Sequence, residues 1–218
     1  MTIIVFDLDG TLIDSAPDIR AAANRMLAGE GLEPLDLATI VSFVGNGLPK
    51  LVERVMQARG IDMSRHGQLT RATLDYYAAE PADRTRPYPG VEPALTALRA
   101  QGHRLGICTN KPETPARNIL HRLNLNGYFE AVIGGDSLAM RKPDPEPLRH
   151  SFRDLGAATG LYVGDSEVDA ETAQRAGVPF VLFTEGYRKS PPEALPHVAQ
   201  FAHFDALPGL VNALATPG

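Results

Sequence analysis

Cysteine is nearly absent from this sequence: Cys108 is the only one. A single thiol excludes an intramolecular disulfide framework and any cysteine-rich zinc site, and it agrees with a reducing compartment. A basic excess is lacking too. Lys and Arg number 21 against 26 Asp and Glu, a net charge of −5, so nucleic-acid binding by bulk electrostatics is disfavoured. No run approaches the ~20 apolar residues of a membrane span, so no membrane association is expected. The N-terminal Ile3-Ile4-Val5-Phe6 is cut by Asp7 and has neither a basic leader nor a cleavage site; it is not read as a signal peptide. Cytoplasm is the expected location. Internal repeats and low-complexity tracts are missing as well. What is there is ordinary globular composition, 44% hydrophobic and 22% charged, in 218 residues. That length suits one large domain or one domain with an insert.

Ile3 to Phe6 reads as a fully buried strand stopped by the polar turn Asp7-Leu8-Asp9-Gly10. Short runs of the same kind recur at Arg104 to Cys108, Glu130 to Ile133, Leu161 to Val163 and Val178 to Phe183. Helical patterns lie between them, at Val91 to Ala100, Pro115 to Leu123, Pro145 to Leu155 and Val168 to Ala176. Gly102, Gly156 and Gly177 each follow a helix, where a left-handed cap residue belongs. Strands alternating with helices predict an α/β fold, a Rossmann-like parallel sheet with helices on both faces.

Residues 14–84 break the alternation with helical patterns only. Ser15 and Asp18 have the spacing of a capping box opening a helix that turns Ile19, Ala22, Ala23, Met26 and Leu27 inward. Leu48 to Ala58 and Leu69 to Ala79 are two further helices. Arg86-Pro87-Tyr88-Pro89-Gly90 is a stiff return toward the sheet. The expected organisation is a core of residues 1–13 and 85–218 with an inserted all-α cap at 14–84.

Ligands of open parallel sheets bind at the carboxyl ends of the strands. At that rim the sequence puts Asp7 and Asp9, two carboxylates whose repulsion a cation would relieve, with Gly10 allowing close backbone approach. Thr109 and Asn110 follow the second strand, Lys142 precedes a helix, and Gly164-Asp165-Ser166 ends the fourth strand with Asp169 after it. Acids, hydroxyl and amine from distant parts of the chain converge on one edge, a set suited to an anion and a hard metal.

Asp7-x-Asp9-Gly-Thr-Leu, then Thr109, then Lys142-Pro143, then Gly164-Asp165-x3-Asp169 resembles the four ordered motifs of the haloacid dehalogenase-like hydrolase superfamily. The insert resembles that family's C1-type cap. Thr109-Asn110-Lys111-Pro112, Val44-Gly45-Asn46-Gly47 and the run from Gly164 to Asp169 are most similar to the branch acting on 2-phosphoglycolate. The resemblance implies a Mg²⁺-dependent phosphatase working through an aspartyl-phosphate. Asp7 is then the nucleophile and Asp9 the acid for the leaving alkoxide and base for the hydrolytic water. Mg²⁺ is held by Asp7 and Asp165 side chains and the Asp9 carbonyl. Lys142 and Thr109, with backbone amides near Leu8 and Asn110, cradle the phosphoryl oxygens. Asp169 orients Lys142 or the metal shell. The expected partner is a small phosphate ester.

Blander readings stand beside these. Asp165 and Thr109 could cap the helices that follow them, and Asp169 could be an ordinary first-turn acid. His66, His103, His121, His150, His197 and His203 show no metal-ligand spacing, and Cys108 is expected to be a small buried hydrophobe. Gly45-Asn46-Gly47 could turn backbone amides over the site from the cap. Lys50 and Lys111 could each pair with a substrate carboxylate, though an exposed surface lysine is the plainer reading of both. Rival functions are a sugar-phosphate phosphatase, a pyrophosphatase or a β-phosphoglucomutase-like enzyme. A rival of another class is a non-catalytic phosphoryl-binding module, against which Asp9 argues, since such a module needs no leaving-group acid.

Overall fold

The computed structural model describes residues 1–79 and 82–215. In chain order the elements are β1 (Ile3–Phe6), β2 (Ile13–Asp14), α1 (Ala16–Gly29), α2 (Leu37–Phe43), α3 (Leu48–Arg59), α4 (His66–Ala79) and β3 (Arg86–Pro87). Then come α5 (Val91–Ala100), β4 (Arg104–Cys108), α6 (Glu113–Arg122), β5 (Ala131–Ile133), α7 (Glu146–Asp154) and β6 (Leu161–Gly164). The chain continues with α8 (Glu167–Ala176), β7 (Phe180–Phe183), β8 (Ala199–Phe201) and α9 (Leu207–Ala215).

Six strands form one parallel sheet in the order β5-β4-β1-β6-β7-β8. The period of two along a strand sends alternate side chains to opposite faces. Thus Ile4 and Phe6 join one core with α5, α6 and α9, while Ile3 and Val5 join another with Phe152 of α7 and Ala173 of α8. Both faces are covered, which is why the central strands read as unbroken apolar runs. The α/β expectation holds, with strand ends trimmed: β5 starts at Ala131 and β7 at Phe180. Gly102, Gly156 and Gly177 all take positive φ, the last as the left-handed cap of α8.

Four helices, α1 to α4, fill residues 16–79 among the described residues, and their apolar faces share the first core through Leu8, Leu12 and Ile13. The chain enters and leaves this bundle through paired strands. β2 lies antiparallel to β3, with Ile13 opposite Pro87 and Asp14 opposite Arg86. No helix among the described residues is long and apolar enough to cross a membrane.

The capping box expected at the start of α1 is not made. Ser15 has no capping hydrogen bond, and its hydroxyl donates instead to Asp9 Oδ1 at 2.5 Å. Asp18 is buried and turned to the exit of the bundle, accepting from the Thr85 amide (2.8 Å) and hydroxyl (2.7 Å) and from the Arg84 amide. For Asp18, long-range partners outbid the local one because burial makes an unpaired carboxylate costly.

Candidate active site

The geometry of the rim follows from strand register. β1 lies between β4 and β6, with Phe6 opposite both Ile107 and Val163, so the residues just past the three strand ends come together. The Asp7 amide donates to Val163 O and the Thr109 amide to Ile133 O, carrying the ladder one step beyond the strands. Gly10 then turns the chain at φ 88°; a Cβ there would sit 2.6 Å from Asp165 Oδ2. Glycine meets two requirements at once, a left-handed backbone and contact with a carboxylate from another strand.

Asp7, Asp165 and Asp169 form a buried cluster in which one carboxylate oxygen of each lies within 4.8 Å of the others. Their partners differ. Asp169 is saturated: Oδ1 accepts from Lys142 Nζ (2.6 Å) and the Tyr162 hydroxyl (2.8 Å), and Oδ2 from the Ser166 amide (3.1 Å) and hydroxyl (2.6 Å). Burial alone would raise its pKa, but the Lys142 charge and these donors hold it below the usual carboxylate range. Among the described residues Asp165 accepts only from neutral groups, the Thr11 hydroxyl (2.7 Å) and the Tyr187 amide (2.6 Å). Burial and the neighbouring carboxylates push its pKa well up. Asp7 pairs with Lys142 Nζ at 2.9 Å, yet among the described residues no donor is aligned on that oxygen. Burial lifts Asp7 to about 7, against the pull of Lys142. Lys142 stays protonated, since Asp169 and Asp7 outweigh its own burial.

One ammonium therefore stands against three buried carboxylates. A cation between Asp7 and Asp165 would relieve both unbalanced charges, and a donor set made only of oxygen suits a hard divalent ion. The residues present fit Mg²⁺. No histidine or cysteine belongs to this cluster among the described residues.

Asp9 faces the other way. Its Oδ1 and Oδ2 each accept from Lys111 Nζ at 3.0 Å, and Lys111 Nζ also donates to the Tyr77 hydroxyl at 2.8 Å. The surface reading of Lys111 is corrected here: it is buried between a core carboxylate and helix α4. Stem atoms in apolar surroundings are stable when the head group is fully paired. Lys50 keeps the surface reading. It is 44% exposed, paired with Glu53, and it borders a shallow groove with Arg141 and Met140 rather than the cavity over Asp7.

That cavity is open to solvent on one side and has a volume of about 60 Å³. Its floor is Asp7, Asp9, Thr109, Asn110, Lys111 and Lys142; above them Ile19, Val44, Leu48, Leu51 and Leu74 make an apolar roof. Gly45 and Gly47 line it too, and the Gly45 carbonyl accepts from Asn110 Nδ2 at 3.1 Å. Asn46 turns aside, its Oδ1 accepting from Arg54 at 3.0 Å. A second opening of about 240 Å³ reaches Asp7 and Asp9 from the side of Asp165, Tyr187 and Lys189.

The helix-capping alternatives resolve individually. Ser166, not Asp165, caps α8, in a capping box with Asp169, so Asp169 is both cap partner and anchor of Lys142. Thr109 does not cap α6, whose first flanking residue is Pro112. Cys108 is buried and burial pushes its thiol up to about 12, which makes it inert.

Sequence reasoning missed Thr11, Ser15, Tyr77, Tyr162 and Tyr187 as site components. Tyr187 was within reach of the strand-end rule, since it follows β7 by a short turn. Tyr77 was not, because its role depends on how α4 lies over the core.

The chain matches the family described as haloacid dehalogenase-like hydrolase over residues 4–183. It is 53% identical to a phosphoglycolate phosphatase of Cereibacter sphaeroides, over 97% of this chain and 98% of that one. It is 44% identical to a phosphoglycolate phosphatase of Rhodospirillum rubrum, covering 94% of this chain and 88% of the relative. The crystal structure of a predicted phosphoglycolate phosphatase from Haemophilus somnus matches with a TM-score of 0.91 at 30% identity, over 96% of this chain and 97% of that one.

Proposed function

The chain belongs to the haloacid dehalogenase-like hydrolase family, and from that premise we propose that it hydrolyses 2-phosphoglycolate to glycolate and phosphate, with Mg²⁺ and through an aspartyl-phosphate. The observation that carries this reading is the unequal pairing of the buried acids: Asp169 is saturated, whereas Asp7 and Asp165 are left with charge to neutralise.

Asp7 attacks phosphorus and the bond to the leaving oxygen breaks. Asp9 protonates the departing alkoxide and then takes a proton from the water that cleaves the acyl phosphate. Lys142, the Thr109 hydroxyl and the backbone amides of Leu8 and Asn110 hold the three equatorial oxygens. Asp169 keeps Lys142 aimed at Asp7. Mg²⁺ on the Asp7 and Asp165 carboxylates and the Asp9 carbonyl would supply charge neutralisation to the transferring group. Residues 14–84 act as a cap on the core of 1–13 and 85–218, excluding water from the reacting centre through their apolar roof. Lys111 meets the carboxylate of the leaving group, and the backbone of Gly45, Asn46 and Gly47 closes over it.

The roof also weighs between substrates. Among the described residues, its only hydrogen-bonding side chain is that of Tyr77. A polyhydroxylated sugar would leave hydroxyls without partners there, which disfavours the sugar-phosphate alternatives. The test is phosphate release from 2-phosphoglycolate against a panel of sugar phosphates and pyrophosphate, with Mg²⁺ and with a chelator. Phosphoglycolate should lead, and release should stop on chelation. Borohydride reduction during turnover should convert residue 7 to homoserine, detectable by mass spectrometry. Preference for a sugar phosphate would replace the substrate, and metal-independent release would remove Mg²⁺.

A further inference from the structure

The apolar roof sets a problem for any anionic leaving group. A carboxylate entering that space must find a cation and a hydrogen-bond donor, because a buried unpaired charge is not tolerated. Two cations line the cavity among the described residues, and Lys142 is committed to Asp7 and Asp169. Lys111 is the other. Its three donors reach both oxygens of Asp9 and the Tyr77 hydroxyl, so all are in use before any ligand arrives.

Tyr77 is built to share that ammonium. Its side chain is buried, its ring centroid lies 4.6 Å from Lys111 Nζ, and its oxygen accepts from the lysine. Because that oxygen is the acceptor, the phenolic proton is left over, and the hydroxyl makes no further hydrogen bond among the described residues. Tyr77 comes from α4 and Lys111 from the loop after β4, so the pair exists only where the helical insert lies over the sheet edge.

We propose that Tyr77 and Lys111 together form the specificity-determining subsite for a carboxylate on the leaving-group side. The phenolic O–H donates to one carboxylate oxygen. Lys111 turns at least one N–H from Asp9 to the ligand while its bond to Tyr77 keeps it at the roof. Tyr77 is thus a reader of the leaving group and the anchor of the cation beside it. The assignment rests on the proposed preference for a carboxylated phosphate ester.

Binding of two non-hydrolysable phosphonates to the Mg²⁺-loaded protein tests it by calorimetry. 3-Phosphonopropionate carries the carboxylate and propylphosphonate lacks it. The wild type should bind the carboxylated ligand at least about tenfold more tightly, the scale of a hydrogen bond to a charged group. Tyr77→Phe should remove about tenfold of that preference and leave propylphosphonate affinity within about twofold. That unchanged affinity also certifies that the variant is folded. Lys111→Gln should abolish the preference, and adding Tyr77→Phe to it should take away nothing more, because the two act as one unit. Should Tyr77→Phe fail to fold, loss of the preference in Lys111→Gln alone supports the subsite and its retention overturns it. Equal weakening of both ligands by Tyr77→Phe, or no weakening of either, overturns the proposal. A wild type that prefers the carboxylated phosphonate but does not turn over 2-phosphoglycolate would keep the subsite and discard the substrate. A wild type without preference would discard the subsite whatever its turnover.

Discussion

The two sides of Asp7 are made of opposite materials. Toward Asp165 and Asp169 the surroundings are oxygen, with one ammonium against three carboxylates. Toward the helical insert they are hydrocarbon, from Ile19 to Leu74, broken by Lys111 and Tyr77. The first side comes from strand ends, whose relative positions the sheet register sets. The second comes from helix faces, whose positions depend on packing. In the proposed mechanism the reacting groups are thus held by hydrogen-bonded strands, and recognition falls to elements that can be repacked at little cost to the sheet.

Asp7→Asn cuts deepest into this contrast. It should lower turnover by about 10⁴-fold or more while leaving the melting temperature unchanged or higher, since a buried charge is removed. Residual activity near wild type would mean that the oxygen-rich side does not supply the nucleophile. Lys142→Met comes next. Stranding Asp7 and Asp169 without their cation should cost about 3–5 kcal/mol in chemical denaturation, and saturating Mg²⁺ should return part of it.

A smaller effect separates the two sides by pH. Asp7 folds with a pKa near 7, against 3.8 for its ordinary value. Between those values folding takes up a proton, so the metal-free protein should gain stability as pH falls from about 7 toward 5, by about 2 kcal/mol. Above pH 7 the penalty is complete and the trend is flat. Saturating Mg²⁺ should erase the gain, because the cation favours the ionised acid. A metal-free protein that loses stability over that range would show that the cluster is not frustrated. The smallest effect belongs to Lys50→Ala, which removes an exposed pair with Glu53 and should change stability by less than about 0.5 kcal/mol. Its KM for phosphoglycolate should stay within about twofold. A large rise would bring Lys50 back to the site.

Legibility in the sequence follows the same division. β1 could be read because burial on both faces leaves a pure apolar run, and the charged residue that stops it belongs to the buried acid cluster. Asp165 and Thr109 could be read for the same reason, as strand-end residues. β8 could not: Ala199-Gln200-Phe201 is an edge strand of three residues with one of them buried. α9 was hidden by Pro208 and Gly209 in its first turn, and α2 is a single short helix between loops. The Ser15–Asp18 spacing misled because Ser15 turns back to Asp9 in the loop before it, and Asp18 to Thr85, a remote contact that no local pattern encodes. Lys111 misled because a lysine beside Pro112 looks like loop surface until α4 covers it.

The pairing of β2 with β3 has a topological consequence. Asp14 and Arg86 are direct antiparallel partners, so everything from residue 15 to residue 85 is, in connectivity, the loop of a β-hairpin. Opposed antiparallel residues stand about 5 Å apart at Cα, a gap that a two-residue turn spans. The closure entropy of such a loop grows only with the logarithm of its length. The sheet therefore tolerates a four-helix excursion at nearly the same entropic cost as a modest one. Excising the excursion and sealing Asp14 to Arg86 with Asn-Gly would ask the β2–β3 pair for no new geometry.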